Sequence, residues 1–217
     1  MDRLGSRLRN SEHPADEDIV LLNRYRERFI EVTASVSAAL RELSAYPVES
    51  RPHKSIPSIV AKLRRRRPAR LSAIQDIAGA RIVVGDGEEQ ERLVERICAR
   101  FSSVSVDDKR TQPSFGYRAV HVIVSAPLPF EVQVRTEIQH AWAQLSERLA
   151  DRYGFELKYG GGPQTVRLAL LELADVIHAI EDLAAAVRKG ERGPEVVKTT
   201  TDYLDRLSAI IETLEIQ

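Results

Sequence analysis

The chain has 217 residues, a formal net charge of zero, 43% hydrophobic residues and 29% charged residues. These values are typical of a folded protein with one large domain, or one domain and a helical appendage, and they exclude a disordered chain. A neutral chain has no overall attraction to nucleic acid or anionic lipid, although residues 51–70 carry eight lysines and arginines and no acid. The only cysteine, Cys98, excludes an intrachain disulfide and a thiolate metal cage, and its apolar neighbours predict a buried thiol.

The first predicted elements are helices. Residues 1–14 are polar, and we expect no regular structure there. Over residues 16–44 apolar side chains recur at alternating steps of three and four, which predicts one amphipathic helix. Prolines interrupt Tyr46–Pro57, which is predicted to be a loop, and the next helix is predicted to run from its end to Pro68.

Strands and helices then alternate. A strand is predicted at Ala80–Val84, a helix at residues 88–101 and a short strand within residues 102–110. Residues 116–136 contain two alternating runs joined by a Pro-rich bend, which predicts two further strands. This order predicts an α/β or α+β fold in which a small mixed β-sheet is covered by helices.

The C-terminal part is predicted to be helical. A helix from Glu137 to about Asp151 precedes the break "KYGGGP", and two apolar seams after it predict a helical hairpin. We therefore predict a domain over residues 1–160, with a hairpin over residues 161–217 packed on it. No apolar run of about 18 residues and no apolar signal segment is present, so we expect a cytoplasmic protein without a transmembrane helix or membrane partner.

The first candidate cluster for chemistry is "KSIPSIVAK", which begins at Lys54 and follows Arg51. Lys62 lies four residues after Ser58, so a helix places both on one face. Two ammonium groups, hydroxyls and a helix N-terminus are suited to phosphate oxygens. A basic helix face in contact with solvent is the alternative.

The second cluster is "DIAGAR", in which Asp76 comes just before a predicted strand. A carboxylate at this position, next to small residues that allow close approach, can supply an oxygen ligand to Mg²⁺. A helix cap or an ion pair with Arg81 is the alternative.

The third cluster lies on the two strands predicted in "GYRAVHVIVSAPLPFEVQVRT". Tyr117 and His121 are an even number of positions apart, so a regular strand places them on one face, and the same parity joins Glu131, Gln133 and Arg135. If the two faces coincide, Tyr117 can stack on a base and Glu131 can bind a metal or accept a proton. A polar cross-strand ladder is the alternative.

Other signals favour ordinary structural roles or are missing. Trp142 is predicted to be a core residue and His140 a surface or boundary residue. The chain has no G-x-x-x-x-G-K-[ST], G-x-G-x-x-G, H-E-x-x-H or G-x-S-x-G motif. Nucleotide chemistry therefore requires another scaffold.

Four motifs read in order carry a resemblance: "KSIPSIVAK", "DIAGAR", "GYRAVH" and "EVQVRTEIQHAWA". Together they resemble the synthetase domain of the RelA/SpoT family, especially its small single-domain members, over about residues 50–160. The resemblance implies a nucleotidyltransferase-like mixed sheet that moves pyrophosphate from ATP to the 3′-hydroxyl of GDP or GTP and releases AMP.

The resemblance also implies roles for individual residues. Asp76 and Glu131 would be the catalytic residues and the ligands of Mg²⁺, and Glu131 would also activate the acceptor hydroxyl. The residues implied in ATP binding are Arg51, Lys54, Ser55, Lys62 and Arg81. The residues implied in acceptor binding are Tyr117, which would stack on the base, and His121, Gln133 and Arg135.

Three positions depart from the family pattern. Pro52 stands where the family usually has an arginine, two residues before the motif lysine, which affects the adenine contact. Phe115 precedes "GY" where a polar residue is common, and Glu147 stands where the Trp-Ala helix often has a histidine. The last two leave the choice of acceptor open.

Two alternatives to a (p)ppGpp synthetase remain. A toxin-type member would pyrophosphorylate the 3′ end of tRNA or an adenine nucleotide, with the arginines of residues 64–70 as the polyanion contact. An inactive interaction module is the other. We expect the hairpin seams to pack within the monomer, and a homo-oligomer formed through the C-terminal helices is the alternative.

Overall fold

The computed structural model describes residues 1–65 and 70–190, together with four residues near the C-terminus: Asp202, Arg206, Ala209 and Ile210. Backbone contacts divide the chain into two compact units. The first unit contains Met1–Ile82, Arg92–Asp107 and His121–Val134. The second contains Val83–Glu91, Asp108–Val120 and Arg135–Gln217.

The chain begins with a helix where we expected no regular structure. α1 spans Asp2–Asn10, and its residues Leu4 and Leu8 are buried. Gly5 allows close packing, because a Cβ there would lie 3.0 Å from the Cβ of Leu71. The prediction was wrong because two leucines are too short a pattern to identify a helix, and their burial depends on residues distant in sequence.

The single helix predicted over residues 16–44 is two helices. α2 spans Asp16–Glu27 and α3 spans Ile30–Leu43. The amide of Phe29 donates to the carbonyl of Arg26, which tightens the chain into one 3₁₀-type turn. The apolar periodicity continues across this turn, so it reveals the buried face and not the break. The buried residues on that face are Leu22, Tyr25, Phe29, Val32, Val36 and Ala39.

The predicted loop before the basic helix contains an edge strand. β1 spans Val48–Arg51 and pairs antiparallel with β2, which spans Ala78–Val84. β1 has no buried residue, so its sequence shows no apolar alternation, and the following Pro52 lacks the amide donor needed to extend the pairing. α4 then spans Ile56–Arg65, close to the predicted start.

The remaining sheet elements lie near their predicted positions. α5 spans Gly87–Arg100, β3 Val104–Asp108, β4 Val120–Ser125 and β5 Pro129–Thr136. The five strands form one mixed sheet in the order β1-β2-β5-β4-β3. The fold class is therefore α/β with a mixed sheet and helices, as predicted. Cys98 on α5 is half-buried, where we predicted a buried thiol.

Two long helices form the core of the second unit. α6 spans Glu137–Tyr153 and α7 spans Gln164–Arg188. Trp142 is buried between them and its indole N–H donates to the carbonyl of Leu170, which confirms its predicted core role. The second arm of the predicted hairpin lies outside the described residues, apart from the four named above. No helix in the described part of the chain is both long and apolar enough to cross a membrane.

Candidate active site

Two lysines of the first unit converge on one aspartate. Asp76 lies just before β2, Lys54 lies in the loop before α4, and Lys62 lies on α4. The Nζ of Lys54 is 2.7 Å from Asp76 Oδ2, and the Nζ of Lys62 is 2.8 Å from Asp76 Oδ1. All three side chains are at most 20% exposed. The two lysines that were predicted to bind phosphate therefore form ion pairs with Asp76, the predicted metal ligand.

Burial and charge act in opposite directions on this cluster. Burial alone would raise the pKa of Asp76, but the two ammonium groups outweigh it and lower that pKa to about 2. Burial lowers the pKa of Lys62, and Asp76 opposes this change. The carboxylate is thus ionised at neutral pH, and it compensates the positive charge that the lysines bring into a half-enclosed site.

The loop that carries Lys54 is fixed from two directions. The amide of Lys54 donates to the carbonyl of Ile77, beside Asp76. The Nε of Arg26, on α2, donates to the carbonyl of Lys54 at 3.0 Å, and its Nη2 lies 2.8 Å from Nδ1 of His53. Arg26 was not predicted as a site residue, because nothing in the local sequence of α2 distinguishes it from Arg24, the other arginine of that helix.

Glu131 on β5 is the second carboxylate of the first unit. Gln133 donates to its Oε2 at 2.7 Å, and Nδ1 of His121 lies 3.3 Å from its Oε1. Burial would raise the pKa of Glu131, but the contacts with His121 and Gln133 lower it, while Asp76 raises it. Glu131 and Gln133, which were predicted to share one face of the strand, are thus in direct contact. The rise in the pKa of Glu131 caused by Asp76 indicates that the two carboxylates interact.

The donor set can be compared with the needs of a Mg²⁺ ion. Among the described residues no group of three or more His, Cys, Asp or Glu side chains is arranged to hold a metal. Mg²⁺ usually takes only one or two protein carboxylates and completes its shell with water and substrate phosphates. The side chains of Asp76 and Glu131 are each only 12% exposed and interact electrostatically, so they fit an ion that binds together with a nucleotide.

Of the other residues predicted to bind ATP, Arg51 contacts this cluster, and Ser55 and Arg81 have other partners. Arg51 is exposed, and its Nη2 is 3.4 Å from the carbonyl of Asp76. Ser55 is exposed and donates to the hydroxyl of Ser58 at 2.8 Å. Arg81 pairs across the β1–β2 ladder with Glu49 at 3.4 Å, and Asp76 pairs with lysines instead of with Arg81.

Tyr117 and Arg135 form a separate cluster in the second unit. The guanidinium of Arg135 lies 5.0 Å from the centroid of the Tyr117 ring, and its Nη2 donates to the Tyr117 hydroxyl at 2.8 Å. Tyr117 is also partly buried and packs against the hydrophobic core of this unit. The predicted strand parity of Tyr117 and His121 is wrong, because β4 begins only at Val120 and Tyr117 lies in the preceding turn.

Gly116 lies against Trp142 on α6 and Ala174 on α7. A Cβ on Gly116 would lie 2.9 Å from the Trp142 ring and 3.0 Å from the Cβ of Ala174. Gly116 also has a φ of +84°, which favours glycine. The turn that presents Tyr117 is therefore seated directly on the core of the second unit.

The fold is that of the small alarmone synthetases. The small alarmone synthetase 1 of Bacillus subtilis bound to its product pppGpp aligns with 79% of this chain and 98% of its own, with a TM-score of 0.66 and 21% identity. A GTP pyrophosphokinase family protein from Streptococcus pneumoniae aligns with 81% of this chain and 97% of its own, with a TM-score of 0.62 and 22% identity.

Residues 51–154, just under half of the chain, match the family model described as the region found in RelA / SpoT proteins. The resemblance predicted from the four motifs is confirmed. The uncharacterized protein Rv1366 of Mycobacterium tuberculosis is 38% identical over 141 residues, which are 61% of this chain and 50% of that protein. The probable chloroplastic GTP diphosphokinase RSH3 of Arabidopsis thaliana is 30% identical over 121 residues, 54% of this chain and 17% of that protein. The chain thus spans about half the length, or less, of these curated relatives.

Proposed function

We propose that this protein transfers the β,γ-pyrophosphate of ATP to the 3′-hydroxyl of GDP or GTP and releases AMP. The observation that carries the proposal is the Lys54–Asp76–Lys62 cluster, which interacts with Glu131 within a RelA/SpoT region. The names of the relatives, GTP diphosphokinase and small alarmone synthetase, support the same reaction class.

Lys54 and Lys62 are proposed to bind the phosphates of ATP. In the structure their ammonium groups neutralise Asp76. The phosphate oxygens of a nucleotide offer both lysines stronger acceptors, and Asp76 is then released to bind a cation. Mg²⁺ bound by Asp76 and Glu131 would neutralise the charge that develops on the phosphates during transfer.

Glu131 is proposed to accept the proton of the acceptor hydroxyl. Its lowered pKa keeps it ionised at neutral pH, so it can take the proton as the 3′-oxygen attacks the β-phosphorus. The new bond joins the 3′-oxygen to the β-phosphorus, and the bond between that phosphorus and the α,β-bridging oxygen breaks, which leaves AMP. Gln133 and His121 hold the carboxylate in place.

Tyr117 is proposed to stack on the acceptor base, with Arg135 holding the ring through its guanidinium contact and the hydrogen bond to the hydroxyl. This contact selects for a base but does not by itself identify it, because every base has an aromatic face. A tRNA 3′ end or an adenine nucleotide remains the alternative acceptor. No described contact favours RNA: Arg64, the first residue of the basic run, donates to the carbonyls of Ser11 and Glu12.

The test is to supply ATP labelled at the γ-phosphate, with Mg²⁺, and to offer GDP, GTP, ATP or bulk tRNA separately. We expect label in a guanosine polyphosphate. Label only in tRNA or in an adenosine product would show that the acceptor is not GDP or GTP, and it would still support pyrophosphate transfer as the reaction. Transfer to none of the four acceptors would contradict the proposal and favour an inactive module.

A further inference from the structure

A tight turn with unusual backbone angles precedes Tyr117. Ser114 and Tyr117 exchange backbone hydrogen bonds at 3.3 and 3.0 Å, and the two residues between them have φ angles of +52° at Phe115 and +84° at Gly116. Positive φ at both central positions is the signature of a type I′ turn. Such turns favour Asn, Asp or Gly at the first central position, because these residues tolerate the left-handed region.

Phenylalanine is therefore a costly residue at this position. Phe115 is the only non-glycine residue with positive φ in the part of the chain that the structure describes. The residue is 49% exposed, so burial of the side chain gives little compensation. An outlier of this kind, beside a residue proposed to bind the acceptor, suggests a role for the side chain other than stability.

The contact of the Phe115 ring indicates what that role is. The ring lies over Gly160: a Cβ on Gly160 would be 2.3 Å from Cε1 and 2.6 Å from Cδ1 of Phe115. Gly160 is itself anchored, because its carbonyl accepts a hydrogen bond of 2.9 Å from Arg167 on α7. Phe115 thus connects the turn to a fixed glycine-rich loop that ends at Gly162.

The turn is consequently held at three successive residues. The Phe115 ring rests on Gly160, Gly116 rests on Trp142, and the Tyr117 ring is held by Arg135. The second and third contacts follow from the glycine and tyrosine that the family motif contains. The first depends on the phenylalanine, which is a departure from the family pattern.

We infer that Phe115 is a positioning residue for the acceptor site: by seating its ring on Gly160 it fixes the turn, and so the orientation of the Tyr117 ring. The role of that ring in acceptor binding rests on the proposed function. The positioning of Tyr117 by Phe115 does not, and it can be measured without activity.

The decisive variant is Phe115→Asn, which suits the turn better and removes the ring. Phe155→Asn is the control, because Phe155 is also an exposed phenylalanine of this unit, at 52%, but has no positive φ. The Tyr117 ring is observed by NMR with labelled tyrosine, assigned through Tyr117→Phe. Thermal unfolding and the KM values for ATP and acceptor are measured in parallel.

We expect Phe115→Asn to keep or raise the Tm while it shifts or broadens the Tyr117 ring signals. The acceptor KM should rise about tenfold at unchanged ATP KM, since the base platform is misplaced. Phe115→Tyr should restore both the signals and the acceptor KM. Gly160→Ala should shift the Tyr117 signals and also lower the Tm, because it forces a side chain into a positive-φ position.

Unchanged Tyr117 signals in Phe115→Asn would overturn the inference. A Tm lower by several degrees with equal rises in both KM values would also overturn it, because this result indicates an ordinary structural role. If the wild-type enzyme transfers pyrophosphate to no acceptor, the proposed function fails, and the NMR comparison still decides whether Phe115 positions Tyr117.

Discussion

Gly79 on β2 lies directly against the main chain of Glu131 on β5: a Cβ at Gly79 would be 2.6 Å from the carbonyl oxygen of Glu131. The two residues come from different sequence motifs, "DIAGAR" and "EVQVRT", on strands that are neighbours in the sheet. The close approach requires glycine, because any side chain would displace the backbone of the predicted catalytic carboxylate. This contact gives a physical reason for the two motifs to occur together.

Gly79→Ala is therefore expected to disturb both stability and activity. Overpacking at a backbone contact should lower the free energy of unfolding by about 1–3 kcal/mol. The shift of Glu131 should also reduce the rate of pyrophosphate transfer. Gly87→Ala is the matched control, since a Cβ at Gly87 meets nothing within 4 Å. Urea unfolding of both variants checks the first effect. Equal stability of the two variants would contradict the close contact.

Acid should remove the contribution of Asp76 to stability. Its pKa is lowered from 3.8 to about 2 in the folded state, so the ionised carboxylate stabilises the fold above pH 4 by roughly 2 kcal/mol, and this is lost as the pH falls through 2. The difference in unfolding free energy between wild type and Asp76→Asn should shrink accordingly between neutral pH and pH 2. Asp182→Asn, at a side chain that is 72% exposed, is the control for loss of one acidic charge.

Glu131→Gln is expected to abolish transfer and leave the fold intact. The amide keeps the size of the side chain and can still accept from Gln133, but it can neither take a proton nor neutralise a cation. The rate should fall by about a hundredfold or more. Glu172→Gln, at a side chain on α7 that is 50% exposed, is the control for loss of one acidic charge. Appreciable turnover in Glu131→Gln would remove Glu131 from its proposed role.

Substitutions at Tyr117 should separate its ring from its hydroxyl. Tyr117→Phe loses only the hydrogen bond from Arg135 and should raise the acceptor KM a few-fold, about 1 kcal/mol. Tyr117→Ala loses the stacking surface, which is worth about 1–3 kcal/mol per base. The ATP KM should stay constant in both variants. Similar acceptor KM values in all three proteins would exclude stacking on Tyr117.

Arg26→Ala should weaken ATP binding although Arg26 is not predicted to touch ATP. It removes the donor to the Lys54 carbonyl and the contact with His53, so the loop that carries Lys54 becomes less ordered. We expect the ATP KM to rise about tenfold, with the acceptor KM unchanged. Arg24→Ala, an exposed position of the same helix, is the control. Equal ATP KM values in the two variants would show that Arg26 has no positioning role.

The sheet and its motifs could be predicted because their signals are local. Alternating apolar residues predict β2, β4 and β5, and the spacing of Ser58 and Lys62 predicts that both lie on one face of a helix. α1 and β1 were missed for the opposite reason: α1 has two buried leucines and β1 has none, and both elements depend on partners far away in the chain.

The sequence by itself determined the fold class, the family and the residue types available to bind phosphate, metal and base, because these are properties of pattern and chemistry. Only the tertiary structure decided that Asp76 is held by two lysines, that Arg26 fixes their loop, and that Tyr117 lies in a strained turn before β4 and not on it. These are contacts between residues distant along the chain. Side-chain periodicity indicates which face of an element is buried. It does not indicate which distant residues contact that face, or which residues contact a loop.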